Sequence, residues 1–196
     1  MINCLLAGVG GQGTVLASKL IASCAIDKGL KVLTAETIGM AQRGGSVVSH
    51  VRIGDGIYSP LIPYNGADLL IGFEPAEAVR TLIYLKKEGT VIVSSRPISS
   101  TTANLSKNIY DSSKMIDFLK DKVSNLVVVD ADSIIKACGT TKVLNLALLG
   151  TVVATGKLGF EREDFKKIID EKIPKKYREL NHKAFDLGFQ FKMKEV

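Results

Sequence analysis

INCLLAGVGGQGTVLASKLIASCAIDKGLKVLTA, residues 2–35, is the stretch that predicts the fold. Its first seven residues form a short apolar run ending in glycine, and apolar side chains then recur at helical spacing over 14–27. Gly29 ends that pattern, and residues 31–35 read as a second strand. Strand, glycine turn, helix and strand in this order form a βαβ unit. Such a unit favours a parallel pair of strands joined by a right-handed crossover.

Strands and helices continue to alternate after residue 67. Apolar runs typical of buried strands occur at 68–73, 90–94 and 126–130. Helices are predicted over 75–85, with Pro75 in its first turn, and over 111–123 and 133–137. Residues 96–108 have the composition of a loop. This alternation predicts a mainly parallel sheet with helices on both faces.

An inserted hairpin interrupts the alternation. Residues 46–53 alternate apolar and polar side chains, and Asp55-Gly56 is a strong turn signal before a further run over 57–62. A simple doubly wound pattern has no antiparallel pair at this point. We therefore expect the hairpin to be an insertion in the sheet.

The C-terminal part of the sequence is helical. Residues 143–155 are apolar on nearly all sides, which predicts a helix buried in the core or against another subunit. Two polar-faced helices follow over 164–172 and 177–191, separated by Pro174. The sequence thus predicts an α/β fold: a doubly wound, mainly parallel, Rossmann-like sheet with an inserted β-hairpin and a helical C-terminus. We expect a single domain over 1–196, with 157–196 as a helical extension.

Composition excludes several classes of function. The chain has 196 residues, a net charge of +6 and 6% aromatic residues, with no basic run interleaved with aromatics, so we expect no nucleic-acid partner. The basic charge leaves an anionic small molecule or an acidic partner surface open. The longest apolar stretch is too short to span a bilayer, and no positively charged leader follows Met1. We expect a cytoplasmic protein without a membrane partner, in which Cys4, Cys24 and Cys138 are reduced thiols.

A glycine-rich motif, G-x-G-x-x-G, lies between the first strand and the first helix. Its candidate cofactor-binding residues are Gly8, Gly10, Gly11, Gln12 and Gly13. Glycines here let the backbone approach a pyrophosphate, and the N–H groups at the helix start attract an anion. Glu36, also a candidate, follows the second strand, where a dinucleotide site places an acid for a ribose hydroxyl. The alternative is that the glycines only allow close packing of strand and helix.

A second glycine-rich loop follows the second strand, within AETIGMAQRGGSVVSHVRIG, residues 35–54. Its candidate cofactor-binding residues are Gln42, Arg43, Gly44, Gly45 and Ser46. Arg43 is a permanent cation flanked by flexible backbone, which suits a phosphate or a carboxylate. Both loops follow strands at their carboxyl ends, where open α/β sheets bind ligands. We therefore expect the two loops to share one site.

The sequence predicts no catalytic residue and no metal site. His50 alternates within a predicted strand and has no nucleophile to pair with, so a structural role is favoured over a catalytic one. His182 lies on a polar helix and is expected at the surface. Asp130 and Asp132 follow a strand, and capping of the next helix explains them better than a pair of metal ligands.

Both glycine motifs resemble a known family. GVGGQGTVLASKLIA, residues 8–22, followed by the second motif, resembles the gamma-type domain of 2-oxoacid:ferredoxin oxidoreductases. Within that family the second motif is most similar to the beta subunit of indolepyruvate ferredoxin oxidoreductases. Residues 145–150 and 181–188 are also similar to the family, so the resemblance covers nearly the whole chain.

The resemblance implies a non-cofactor subunit of a thiamine-diphosphate-dependent enzyme. Such an enzyme oxidatively decarboxylates an aryl 2-oxoacid, forms an acyl-CoA and reduces ferredoxin. Thiamine diphosphate, Mg and 4Fe-4S clusters are then expected on a larger partner subunit, because this sequence lacks the metal-linked thiamine motif and the cysteine clusters. The loop 8–13 and Arg43 become candidates for binding CoA or for bracing the partner's thiamine site. We expect no stably bound cofactor and no activity in this chain alone.

Two alternatives stay open at the level of sequence. The loop 8–13 and Glu36 are also compatible with a free-standing Rossmann-like protein that binds NAD or another nucleotide. A third possibility is a structural paralogue that has kept the fold and lost the partner.

Overall fold

A six-stranded sheet organises the part of the chain that the computed structural model describes, residues 1–38, 44–98 and 110–194. Its strands, in spatial order, are β2 (Val32–Ile38), β3 (Ser46–Ile53), β1 (Ile2–Val9), β4 (Ala67–Gly72), β5 (Leu85–Ser94) and β6 (Asn125–Val129). β1, β4, β5 and β6 are parallel, whereas β3 is antiparallel to both of its neighbours. The predicted doubly wound, mainly parallel sheet is confirmed.

Seven α-helices lie in the described ranges. They are α1 (Thr14–Asp27), α2 (Pro75–Arg80), α3 (Ser112–Lys122), α4 (Ala131–Cys138), α5 (Leu144–Ala154), α6 (Arg162–Lys172) and α7 (Lys175–Lys194). None of these has both the length and the hydropathy to cross a membrane alone. α4 and the segment Thr141–Ala154 pass that test only together, and they bend by 116° at their break.

The predicted parallel pair of β1 and β2 is wrong, because β3 lies between them. β3 bonds along one edge to β1, with Leu5 opposite His50, and along the other to β2, with Ala35 opposite the same residue. The connection from β2 to β3 is too short for a crossover, so the two strands must pair as antiparallel neighbours. Side-chain pattern predicts strands but not which strand takes the place beside β1.

The inserted hairpin exists, but its strands are β2 and β3 rather than 46–53 and 57–62. Residues 57–62 form no strand, since both edges of β3 are already bonded. Side chains of β3 hold this segment instead: Arg52 donates to the carbonyl oxygens of Ser59 (2.8 Å) and Leu61 (3.3 Å). The backbone N–H of Ile62 donates to Nδ1 of His50 (3.1 Å).

The helix predicted over 75–85 is shorter than expected. α2 ends at Arg80, a 3-10 turn occupies Leu82–Tyr84, and β5 already begins at Leu85. Thr81 terminates the helix because its hydroxyl turns back to the carbonyl oxygen of Glu77 (2.7 Å). The apolar run Leu82–Leu85 therefore forms a 3-10 turn that leads into β5 and does not continue the α-helix.

The sheet has one core on each face, as its period-2 pattern requires. Leu6, Val51 and Ile71 face a large core that α1, α5, α6 and α7 complete. Leu5 and Leu70 face a smaller core, to which α2 contributes Ala78 and α3 contributes Leu119. Helices cover both faces, and the ends of the strands are left to carry a site.

The C-terminal helices belong to the larger core. Phe165 of α6 and Phe185 of α7 are fully buried and stack with ring centroids 5.8 Å apart. α7 crosses α5 so closely that a Cβ on Gly188 would lie 1.8 Å from the carbonyl oxygen of Ala147. Thr151 of α5 bonds across the crossing to the carbonyl oxygen of Gly188 (2.9 Å). Of the two predicted locations for the apolar helix, the core is the one observed.

Candidate functional site

The first glycine loop turns from β1 into α1 through two left-handed residues. Gly11 has φ of +98° and Gly13 has φ of +81°. Residues that carry a side chain rarely adopt this left-handed region. Gly13 is the N-cap of α1 and, having no side chain, makes no side-chain cap for the first turn of that helix. The N–H groups of this turn and the helix dipole together favour an anion at the loop.

Gln12 braces this loop from within. Its Oε1 accepts a hydrogen bond from the backbone N–H of Val9 (2.7 Å), and its Nε2 donates to the carbonyl oxygen of Phe73 (2.8 Å). Both ends of its amide are therefore occupied by backbone at the carboxyl ends of β1 and β4. Gln12 positions the loop, and its amide already has protein partners on both sides.

The two glycine loops meet. The backbone N–H of Gly10 donates to the carbonyl oxygen of Gly45 (2.9 Å), so the end of the second loop lies against the first. Gly44 directly precedes Gly45 in the chain, and Ser46 is the first residue of β3. Gln42 and Arg43 lie outside the described residues.

A cavity of about 330 Å³ opens beside the first loop at the carboxyl edge of the sheet. Gly11, Gln12 and Phe73 line it together with residues from the end of β5, from the segments that follow β5 and precede α5, and from α5 itself: Ser94, Arg96, Pro97, Ile98, Thr141, Lys142, Leu144 and Leu148. Both charged residues in this lining, Arg96 and Lys142, are cations. Arg96 also pairs with the exposed carboxylate of Asp132 (2.9 Å). The lining of this cavity therefore combines cationic side chains and helix N-termini with apolar side chains.

A second cavity of about 250 Å³ lies beside the first, and Ile98 lines both. Gly44 and Ser46 line it, but so do two buried carboxylates, Glu74 and Glu77. Ser46 donates its hydroxyl to Glu77 (2.6 Å), which also pairs with Arg80 (2.6 Å). The candidate residues of the two loops thus open onto two cavities of opposite charge.

Tyr110 completes the acidic wall of the second cavity. Its hydroxyl donates to Oε1 of Glu74 and accepts a hydrogen bond from the N–H of Ala76 (3.1 Å). Burial, followed by this bond to Glu74, raises the pKa of the Tyr110 phenol above its ordinary range. The tyrosine therefore stays protonated and keeps a donor on Glu74 throughout the physiological range.

Sequence reasoning missed Glu74, Glu77, Tyr110, Arg96 and Lys142. Glu74 follows β4 and Arg96 follows β5, so the rule that ligands bind beyond the carboxyl ends of strands, applied to every strand, points to both. Glu77 has the further role of a first-turn acid in α2. Tyr110 and Lys142 are brought to this edge only by tertiary packing, and no local pattern indicates them.

Glu36 does not reach either cavity. It lies exposed inside β2, opposite Ser49 of β3, and accepts a hydrogen bond from the Ser18 hydroxyl on α1 (3.3 Å). Because β3 separates β2 from β1, this acid is one strand farther from the glycine loop than in a plain dinucleotide fold.

The two histidines have structural partners. His50 is buried, accepts from the N–H of Ile62 and meets the ring of Tyr84 edge-on with centroids 5.7 Å apart. Burial lowers the pKa of its imidazole. His182 is partly buried rather than fully at the surface, and its Nε2 lies 2.7 Å from Asp170. Neither histidine lines the two cavities at the carboxyl edge.

The aspartates that follow β6 and the buried cysteines have structural roles. Asp130 accepts from the N–H groups of Asp132 (3.1 Å) and Ser133 (3.2 Å), as a helix cap does. Cys4 and Cys24 are buried, and burial raises both thiol pKa values, that of Cys24 to about 12. Within the described ranges no three His, Cys, Asp or Glu side chains are arranged to hold a metal ion. These residues do not fit an iron–sulfur cluster, which needs thiolate ligands.

Comparisons with known proteins show what the chain is similar to. The family model for pyruvate ferredoxin/flavodoxin oxidoreductase matches residues 3–191. Indolepyruvate oxidoreductase subunit IorB of Archaeoglobus fulgidus is 40% identical over 96% of this chain and 94% of its own. The IorB subunit of Pyrococcus horikoshii is 36% identical over 95% of this chain and 93% of its own.

Solved structures show the same fold at lower identity. The gamma subunit of a keto/oxoacid ferredoxin oxidoreductase from Geobacter sulfurreducens superposes with a TM-score of 0.73, at 23% identity over 99% of both chains. A 2-oxoglutarate:ferredoxin oxidoreductase from Magnetococcus marinus superposes with a TM-score of 0.74 at 16% identity, over 98% of this chain and 31% of its own. The resemblance seen in the glycine motifs is confirmed: the chain belongs to the pyruvate ferredoxin/flavodoxin oxidoreductase family, as a gamma-type subunit of the 2-oxoacid:ferredoxin oxidoreductases.

Proposed function

We propose that this chain is the non-cofactor subunit of an indolepyruvate-type 2-oxoacid:ferredoxin oxidoreductase in the cytoplasm. The complex converts an aryl 2-oxoacid and CoA to an acyl-CoA and CO₂ and passes two electrons to ferredoxin. The identity of 36–40% to two IorB subunits over nearly the whole chain is the observation that carries the substrate class. On this proposal the chain is inactive alone.

The cofactors belong to the larger partner subunit in this proposal. Thiamine diphosphate with Mg would supply the carbanion chemistry there, and 4Fe-4S clusters would accept the electrons. The buried thiols of this chain support that division, because burial raises the pKa of Cys4 and of Cys24 and disfavours the thiolate that a cluster needs. In this proposal the present chain binds and orients CoA.

CoA phosphates fit the larger cavity and not the smaller one. Arg96, Lys142 and the first turn of α1, whose N-cap Gly13 has no side chain, offer positive potential there. Leu144 and Leu148 offer an apolar wall for the uncharged part of the molecule. The buried carboxylates of Glu74 and Glu77 repel an anion from the smaller cavity. There Glu77 accepts from Ser46 of the second loop, and Glu74 accepts from Tyr110. The related role, bracing the partner's thiamine site, remains for the loop face that carries Gly44 and Ser46.

Reconstitution tests the proposal. The purified chain should give no ferredoxin reduction with indolepyruvate and CoA, and activity should appear when the thiamine- and cluster-bearing subunit of the same organism is added. Titration of pyruvate and 2-oxoglutarate in the same assay ranks the substrate. Activity restored with either of those acids and not with an aryl 2-oxoacid would remove the indolepyruvate assignment.

The alternative of a free-standing NAD binder loses its second support in the structure. Glu36 lies in the middle of an edge strand and reaches neither cavity. Calorimetry of the chain alone with NAD discriminates the two functions, and tight binding in isolation would favour the alternative.

A further inference from the structure

Part of an apolar turn is exposed at the surface. The 3-10 turn Leu82–Tyr84 consists of Leu, Ile and Tyr. Leu82 and Tyr84 of this turn are half-buried and pack against the smaller core, whereas Ile83 between them is exposed. Ile83 is 54% exposed, and Phe118 of α3, which lines the same groove, is 44% exposed. Large apolar side chains exposed side by side mark a surface that another molecule covers.

The groove between this turn and α3 has a volume of about 450 Å³. Its remaining apolar lining is formed by Val79, Leu82, Leu85 and Val123. Every charged residue in the lining is a lysine: Lys86, Lys87 and Lys122. Lys86 pairs with Asp68 and Lys122 with Asp121 (2.8 Å), whereas Lys87 makes no ion pair with any residue in the described part of the chain. The groove is therefore apolar inside and basic at its rim.

We infer that this groove docks an apolar segment of the larger partner subunit that carries carboxylates beside its apolar side chains. Charge complementarity selects such an occupant, because carboxylates would pair with Lys87 while apolar side chains cover Ile83 and Phe118. A second copy of this chain, with a net charge of +6, would bring repulsion to the same rim. The inference rests on the proposed function, since that function supplies the partner.

The position of the groove suits a docking surface that leaves the ligand edge open. Leu85, which lines the groove, begins β5, and Ser94, which lines the larger cavity, ends it. β5 bulges between Leu85 and Thr90, and its register against β4 sets Leu85 opposite Ala67 and Val93 opposite Gly72. At the usual rise per residue of a strand the two ends are therefore about 20 Å apart. A partner segment seated at Ile83 would therefore not occupy the cavity at the first glycine loop.

Matched substitutions test the docking surface. Ile83→Asp and Lys87→Glu are compared with Ile26→Asp and Lys19→Glu, which change equally exposed residues on α1, on the opposite face of the sheet. The readout is the dissociation constant of each variant for the purified larger subunit, measured by calorimetry, with thermal unfolding as the check on folding. We expect both groove variants to bind at least tenfold more weakly and both α1 variants to bind like wild type.

The other outcomes are distinguishable from failure of the proposed function. Wild-type affinity in both groove variants, with the wild-type complex intact, overturns the docking surface and leaves the function standing. No association of the wild-type chain overturns both. Binding of the chain to anionic lipid vesicles that Ile83→Asp abolishes, with association to the larger subunit unchanged, would assign the groove to a membrane surface and overturn the inference.

Discussion

Glycines occur in two regions of this molecule for opposite reasons. At the crossing of α5 and α7, Gly150 and Gly188 have ordinary helical backbone, and each is required because the other helix lies against it. In the first loop, Gly11 has open space around it but a left-handed backbone that only glycine adopts easily. Gly13 combines both conditions. The comparison shows that steric demand dominates inside the core, and backbone conformation dominates at the ligand edge.

The crossing should be the more costly region to disturb. Gly188→Ala puts a methyl group 1.8 Å from the carbonyl oxygen of Ala147, and backbone on both helices must move apart. We expect the unfolding free energy to fall by about 3 kcal/mol or more, measured by urea denaturation. Gly139→Ala is the control, because its neighbourhood is empty and only its φ of +73° opposes alanine. A loss of about 1–2 kcal/mol is expected there, and equal losses at both sites would erase the distinction.

Gly13→Ala should cost an intermediate amount, because two causes act together. The backbone has φ of +81°, and a Cβ would lie 2.6 Å from Nδ2 of Asn145. We expect a loss of about 2–3 kcal/mol in the same denaturation experiment. In the double variant Gly13→Ala/Asn145→Ala the clash between the new methyl group and Asn145 should disappear. The loss of unfolding free energy in the double variant should therefore be smaller than the sum of the losses in the two single variants. Strict additivity would mean that Asn145 does not press on the loop.

A smaller, pH-dependent effect is expected at His50. Burial lowers the pKa of its imidazole, and Nδ1 must be unprotonated to accept from Ile62. A group whose pKa is depressed in the folded state contributes stability above its unfolded pKa, about 6.5, and loses it as the pH falls. The unfolding free energy of the wild type should therefore decrease from pH 7 to pH 5.

His50→Gln provides the reference for that titration. It should be less stable than the wild type at pH 7 and should lack the decrease that the wild type shows between pH 7 and pH 5. A variant with the same pH dependence as the wild type would assign the effect to another group.

Much of the fold could be predicted because its signals are local. The spacing and composition of the residues predict the strand, turn and helix over 2–27 and the apolar helix near 144–154. The position of β3 beside β1 could not be predicted from the sequence, since it depends on which strand edge is free when the sheet forms. The length of α2 could not be predicted either, because Leu82–Tyr84 is an apolar run that continues the helical pattern yet forms a 3-10 turn, in which only Ile83 is exposed.

The candidate site divides in the same way. The glycine loops lie at one edge and touch at Gly10 and Gly45, as the carboxyl-end rule implies. The opposite charges of the two cavities could not be predicted, because Arg96, Lys142, Glu74 and Tyr110 come from four separate parts of the chain. Tertiary packing alone decides which of them faces which loop.

Titration of CoA into the assembled complex tests the central claim most directly, with Arg96→Ala and Arg80→Ala as a matched pair. Each arginine lines one of the two cavities, and each pairs with one carboxylate. If the larger cavity holds the phosphates, Arg96→Ala weakens CoA binding at least tenfold, about 1.4 kcal/mol, while Arg80→Ala leaves the affinity within twofold of wild type. Unchanged affinity in Arg96→Ala, or a larger loss in Arg80→Ala, would contradict the account.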